Sequence, residues 1–179
     1  MNVVQKILFI LLMAGLVAGC TAPAVTTLSY SGPFKLDIPI REFEGATIFH
    51  TEQLSVKTRS GALISGMALT HQTEELPQDF NLQDYPEYLF RLRSAEALSE
   101  SLAEYFRNSS QETDQFYGLD NVHRIERSGY RIYSACKTEK CLALVVKKDV
   151  KDQILVLNAD KLEPGSFEEL INGLKDVAY

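Results

Sequence analysis

The chain is poor in the residues that chemistry draws on. Among its 179 residues are three histidines and three cysteines. His50, His71 and His123 lie far apart, and no two have the i, i+4 spacing of a helical zinc site. Each falls on a run that reads as strand, where a histidine is ordinarily a hydrogen-bonded structural residue. There is no G-x-S-x-G elbow: Ser60-Gly61 has the composition of a turn, and Ser65-Gly66 that of a strand bulge or a close backbone approach. Glycine-rich phosphate loops are missing too. These gaps leave no catalytic residue, metal ligand or cofactor-binding residue to assign, and the chain reads as a non-enzyme.

Positive charge is also in short supply. Eighteen Lys and Arg stand against 24 Asp and Glu, a net charge of −6. That balance argues against nucleic acid or an anionic lipid surface as partner, because both require a basic face. Long apolar runs are scarce as well. The one run of note, Ile7 to Val17, is relieved only by Gly15 and falls short of the roughly 20 apolar residues a membrane-spanning helix needs. Met1 to Lys6 precede it with a single positive charge, and the small residues Ala18-Gly19 follow, which is the layout of a secretory signal.

The residue after that signal is Cys20. Val17-Ala18-Gly19-Cys20 resembles the lipobox of bacterial lipoproteins, with Val17 where most carry Leu. The resemblance implies that the Cys20 thiol takes a diacylglyceryl group, that residues 1–19 are removed as a signal peptide, and that the freed amine is acylated. Without lipid, Cys20 would be an ordinary thiol closing an uncleaved anchor helix. Several acyl chains, each buried methylene contributing about 0.8 kcal/mol, hold a protein on the bilayer where one chain is marginal. Thr21, where retention in the inner membrane uses Asp, resembles outer-membrane sorting. The expected place is therefore the bacterial envelope, facing the periplasm. Loss of residues 1–19 leaves 160 residues with 17 Lys and Arg against 24 Asp and Glu, enough for one domain with a sizeable core.

Residues 20–33 are small and polar, with Pro23 and Pro33, and read as a lipidated flexible tether before a single domain over 34–179. Phe34, Leu36, Ile38 and Ile40 alternate as in a half-buried strand, and Pro39 places that strand at an edge or ends it. Further strand runs are Ala46 to His50, Leu54 to Thr58 and Ala62 to His71. Asp84 and Glu87 have capping-box spacing around Pro86, and the apolar stripe from Tyr85 through Tyr88, Leu92, Leu102 and Phe106 predicts one helix over 84–107. Residues 108–115 are polar and read as a loop. Four strand runs follow, Val122 to Arg127, Tyr130 to Cys136, Cys141 to Lys147 and Ile154 to Ala159, joined by connections short enough to demand an antiparallel meander. Leu142 to Val146 is apolar at every position, which requires cover on both faces. Ser166 and Glu169 form a second capping box and predict a last helix over 166–177.

Cys136 and Cys141 flank a four-residue turn and would face each other across a hairpin. Exported thiols so placed oxidise to a disulfide; a redox pair, half a metal site or no bond at all are the alternatives, although Lys137 to Lys140 offer no further ligand. Glu74, Glu75 and Asp79 suit a cation site or docking face, against the ordinary role of solvated loop acids. Asn108-Ser109-Ser110 matches a glycosylation sequon without weight in a bacterium. The tyrosines of the long helix suit either core packing or a ligand groove.

The order of elements, including Gln153-Ile154-Leu155-Val156-Leu157 and the Ser166 to Lys175 segment, is similar to that of PsbP-like proteins, among them the small DcrB-type bacterial lipoproteins. That resemblance implies an antiparallel sheet sandwiched between two helices, an assembly or binding role, and no catalytic residues. The residues by themselves give an α+β domain with an antiparallel sheet of seven or eight strands. The expected function is that of a non-catalytic accessory bound to an envelope protein partner. The rival is a carrier of a small apolar or amphipathic ligand between sheet and long helix.

Overall fold

The computed structural model describes residues 25–30, 33–39, 44–51, 53–127 and 129–175. The signal segment 1–19 and Cys20 lie outside these residues. The fold is α+β, built on a seven-stranded sheet in which every pair is antiparallel. Its strands are β3 (Thr47–His50), β4 (Leu54–Lys57), β5 (Leu63–Thr70), β6 (His123–Arg127), β7 (Tyr130–Lys137), β8 (Lys140–Lys147) and β9 (Gln153–Asp160), in the spatial order 3-4-5-9-8-7-6. Two meanders thus meet where β5 pairs β9, from Leu63 opposite Asp160 to Thr70 opposite Gln153. A second sheet places β2 (Phe34–Pro39) between β1 (Val25–Tyr30) and the short β10 (Leu174–Lys175).

Strand alternation divides the interior in two. On one face of the large sheet, Ile132, Ala143, Val145, Leu155 and Leu157 pack against Tyr30, Phe34, Leu36 and Ile38 of the small sheet and Phe167, Leu170 and Ile171 of helix α3 (Pro164–Asn172). On the other face, Tyr133, Leu142, Leu144, Val146 and Ile154 meet helices α1 (Tyr85–Leu89) and α2 (Glu100–Tyr117). Successive residues of β7, β8 and β9 therefore serve opposite cores, which is why these strands lack polar alternation.

Four sequence expectations change. Residues 25–30, read as tether, form β1, because Leu28 and Tyr30 have a core to enter once β2 lies beside them. Of the two readings of Pro39 the second holds: it ends β2, which is central in its sheet.

The helix over 84–107 is two α-helices and a break. Arg91 adopts a positive φ of 57°, the amides of Leu92 and Arg93 turn back to the Glu87 carbonyl, and Ser94 and Ser99 are extended. Leu92, part of the expected stripe, is half exposed in consequence. The capping box is unused here. Asp84 accepts from the Asn81 amide and pairs with Arg93, and the Glu87 side chain goes inward. Helix α2 then runs to Tyr117 through the polar residues 108–115, since Ser110 and Tyr117 continue the buried side begun by Phe106.

The last helix spans Pro164–Asn172, with Pro164 in its first turn, and ends well before residue 177. A Cβ on Gly173 would sit 2.2 Å from the Asp37 carbonyl oxygen, and the Asp37 amide donates to the Gly173 carbonyl at 2.9 Å. That close approach turns the chain into β10 beside β2.

Candidate functional site

The helical layer is organised on Phe106 of α2. Its ring lies 5.5 Å from Phe80, 5.3 Å from Tyr85, 5.1 Å from Tyr88 and 5.1 Å from Tyr105, centroid to centroid. With Leu82, Leu89 and Phe90 these rings fill the space between sheet and helices. The tyrosines therefore pack against one another and Phe106 as core.

Two recesses flank the first half of α2. One, of about 490 Å³, lies between α2 and the 73–77 loop and is lined by Glu74, Glu75, Leu76, Leu102 and Tyr105. Tyr105 donates to the Glu74 carboxylate at 2.6 Å, Tyr85 donates to the same oxygen at 3.3 Å, and the two phenols lie 3.0 Å apart. Burial and the neighbouring carboxylate push the Tyr105 phenol up to about 12 and that of Tyr85 further still. Both phenols are consequently hydrogen-bond donors at neutral pH and useless as bases.

The second recess, of about 360 Å³, lies on the opposite flank between α2 and the chain break at 90–96. Arg91, Arg93, Glu96, Phe106 and Arg107 line it. Arg91 donates to Asp114 at 2.9 Å and to the Ser110 hydroxyl at 3.4 Å. Arg93 pairs with Asp84 at 3.1 Å and with Glu87, and stands 5.4 Å over the Tyr88 ring. Glu87 is only 9% exposed. It accepts from the Tyr133 hydroxyl at 3.1 Å, with Arg131 at 3.7 Å and Arg124 at 3.9 Å. A buried carboxylate so surrounded is satisfied, and it ties α1 to β6 and β7.

The residues singled out from sequence scatter over the fold. Cys136 and Cys141 are register partners across the β7–β8 turn, with sulfurs at disulfide distance, 2.08 Å, and Cys141 fully buried. His71 bonds the Phe80 carbonyl at 2.8 Å and closes the 71–80 loop, His50 is exposed on β3, and His123 faces Glu168 at 3.6 Å. Gly66 is a close approach, without a bulge in the register, and Ser65 accepts a buried hydrogen bond from Ser55 at 3.1 Å. Ser60 shares a 2.8 Å hydrogen bond with Thr58 in the β4–β5 turn. Asn108 to Ser110 lie within α2. Among the described residues no three of His, Cys, Asp and Glu are grouped to hold a metal ion, and no helix is long and apolar enough to cross a membrane.

Missed from sequence were Glu87 as an internal carboxylate and the gathering of Arg91, Arg93 and Arg107 on one recess. Arg91 and Arg93 are two apart, a spacing that puts side chains on different faces of a continuous helix, so periodicity carried no signal. No known protein family, curated protein or solved structure matches the chain.

Proposed function

We propose that this chain is a lipoprotein of the bacterial cell envelope, held on the membrane by acylated Cys20 and facing the periplasm, and that its α+β domain is a non-catalytic accessory that binds another envelope protein. The observation that carries the reading is Val17-Ala18-Gly19-Cys20 directly after the apolar run Ile7 to Val17. Thr21 favours the outer membrane. An oxidised Cys136–Cys141 pair fits that compartment, and the register that sets the two cysteines opposite each other supports it.

Protein binding is favoured over carriage of a small apolar ligand because the aromatic layer under α2 is filled by its own side chains. The edge strands point the same way. β6 is guarded by Arg124, Glu126 and Arg127, whereas β3 has no charged side chain and leaves Ile48 54% and Phe49 48% exposed. An uncharged edge of this kind suits an extended segment of a partner chain.

The test has two parts. Cys20→Ser should abolish incorporation of labelled palmitate, and continued labelling overturns the anchor. Extraction in mild detergent followed by affinity capture should return a protein in stoichiometric amount with the native chain and lose it with Ile48→Lys. A co-purifying lipid with no protein would favour the carrier.

A further inference from the structure

We propose that the recess between α2 and the 90–96 segment binds a small phosphate-bearing molecule, with Arg107 as the principal contact. The inference rests on this recess alone and is independent of the envelope assignment. Three guanidinium groups line it, in a protein whose net charge is −6, and Glu96 is the one acid on its wall.

The gathering follows from the backbone. A positive φ at Arg91 is a conformation that non-glycine residues rarely take, and the amides of Leu92 and Arg93 fix the turn on the Glu87 carbonyl. Arg91 is then braced by Ser110 and Asp114, and Arg93 by Asp84, Glu87 and the Tyr88 ring. Their carboxylate partners offset most of the charge of these two. Arg107 has no ion pair or side-chain hydrogen bond among the described residues, so its N–H donors are open to a ligand. A guanidinium has five N–H donors in a planar fork, and the braced arginines keep their orientation when a ligand arrives.

Size and lining restrict the ligand further. At about 360 Å³ the recess is at the lower end of ordinary ligand sites, which run from about 300 to 1,000 Å³. It accommodates one phosphate and a small apolar or planar body against Tyr88, Phe106 and Ala103, and no acyl chain. The phosphate is that of a soluble monoester or of a lipid headgroup. Across the helix, the recess lined by Glu74 and Glu75 repels the same group.

The experiment is calorimetric titration of the full-length protein in an uncharged detergent with phenyl phosphate and, separately, with a short-chain phosphatidylglycerol. Saturable binding of either is expected. Arg107→Gln should weaken it about tenfold, the effect of losing one charge-assisted contact. Glu96→Gln should tighten it severalfold. Lys151→Gln, which removes the same charge from the exposed β8–β9 turn, should leave it unchanged. Tighter binding of phenyl phosphate assigns the site to soluble monoesters, and tighter binding of phosphatidylglycerol assigns it to headgroups. Absence of saturable binding for both ligands overturns the proposal, as does equal weakening by Arg107→Gln and Lys151→Gln. Arg107 is exposed, so circular dichroism should report an intact fold for its variant.

Discussion

Replacing Gly66 by Ala should be among the most damaging small substitutions in the molecule, and Tyr30 is the reason. A Cβ at residue 66 would fall 2.3 Å from Tyr30 Cε1, 2.5 Å from Cδ1 and 2.9 Å from Leu157 Cδ2. Neither neighbour can yield easily: Tyr30 is 2% exposed and Leu157 is fully buried in the same core. Overpacking of this severity costs about 3 kcal/mol. At about 2–4 °C per kcal/mol for a domain of this size, the melting temperature should fall by roughly 6–12 °C.

The tyrosine itself carries a defect. Its hydroxyl is buried without a hydrogen-bond partner among the described residues, and burial pushes the phenol well above its ordinary pKa. An unpaired buried hydroxyl costs about 1–3 kcal/mol, from which the packing lost with the oxygen must be subtracted, so Tyr30→Phe should stabilise by about 1 kcal/mol. Leu at position 30 lacks the ring atoms that meet the new methyl. In a Tyr30→Leu background the Leu157 contact remains, so Gly66→Ala should cost only about 1 kcal/mol, a coupling of about 2 kcal/mol in the double-mutant cycle. Urea unfolding followed by circular dichroism measures the Tyr30→Phe variant and the four proteins of the cycle. Destabilisation by more than about 1 kcal/mol from Tyr30→Phe, or an equal effect of Gly66→Ala in both backgrounds, would refute the clash with the Tyr30 ring as the cause.

Three further outcomes are expected. Replacing Cys136 and Cys141 together by Ser should lower stability by about 2 kcal/mol, the chain-entropy effect of so short a loop. Alkylation should label the two thiols only after reduction, and labelling beforehand would show that they are not bonded. The Leu119 amide, and after it Arg91, hold the Asp114 carboxyl below its usual range. A lowered pKa means that this contribution is present above the unfolded carboxylate value of about 3.9 and is lost as pH falls through the folded one. The protection factor of the Leu119 amide, the unfolded chain's exchange rate divided by its own at the same pH, should thus fall in acid, and Asp114→Asn should show lowered protection already at neutral pH. For Tyr105 the sign is opposite, since its raised pKa gives a contribution present below the ordinary phenol value and lost between about 10 and 12. Phenolate titration by absorbance should show a late step near 12 that Tyr105→Phe removes.

The strands were legible because their signal is local. Tyr130 to Lys137 and Lys140 to Lys147 are hydrophobic on alternate residues toward each of two cores, and a turn too short for a crossover forces them antiparallel. What stayed hidden was pairing at a distance. Nothing in Thr26-Thr27-Leu28 distinguishes tether from strand until β2 lies alongside, and nothing in Leu174-Lys175 announces an edge strand until Gly173 lets the chain pass Asp37. Likewise the polar stretch 108–115 lacks an apolar stripe. It is helical because α2, once started, needs only Ser110 and Tyr117 to keep one side against the sheet.

The break after Leu89 was hidden for a different reason, and it shapes the surface that carries the proposed phosphate site. Residues 84–107 contain no proline or glycine beyond Pro86, so local propensity favours an unbroken helix. A carboxylate overrides it. Glu87 faces the sheet, where Tyr133, Arg131 and Arg124 all approach its Oε1, and among the described residues the sheet side offers no partner to its Oε2. Turning the chain back at Arg91 brings Arg93 onto Glu87 and Asp84 from the helical side. The same turn frees Leu92 from the core and swings Arg91 toward Asp114 on α2. Substituting Glu87 by Gln should remove the demand for that turn, so the arginine-lined recess should lose both its shape and its affinity for phosphate although Arg107 is untouched. If Glu87→Gln binds phenyl phosphate as the native chain does, the carboxylate does not set the break, and propensity arguments must be sought elsewhere in residues 90–99.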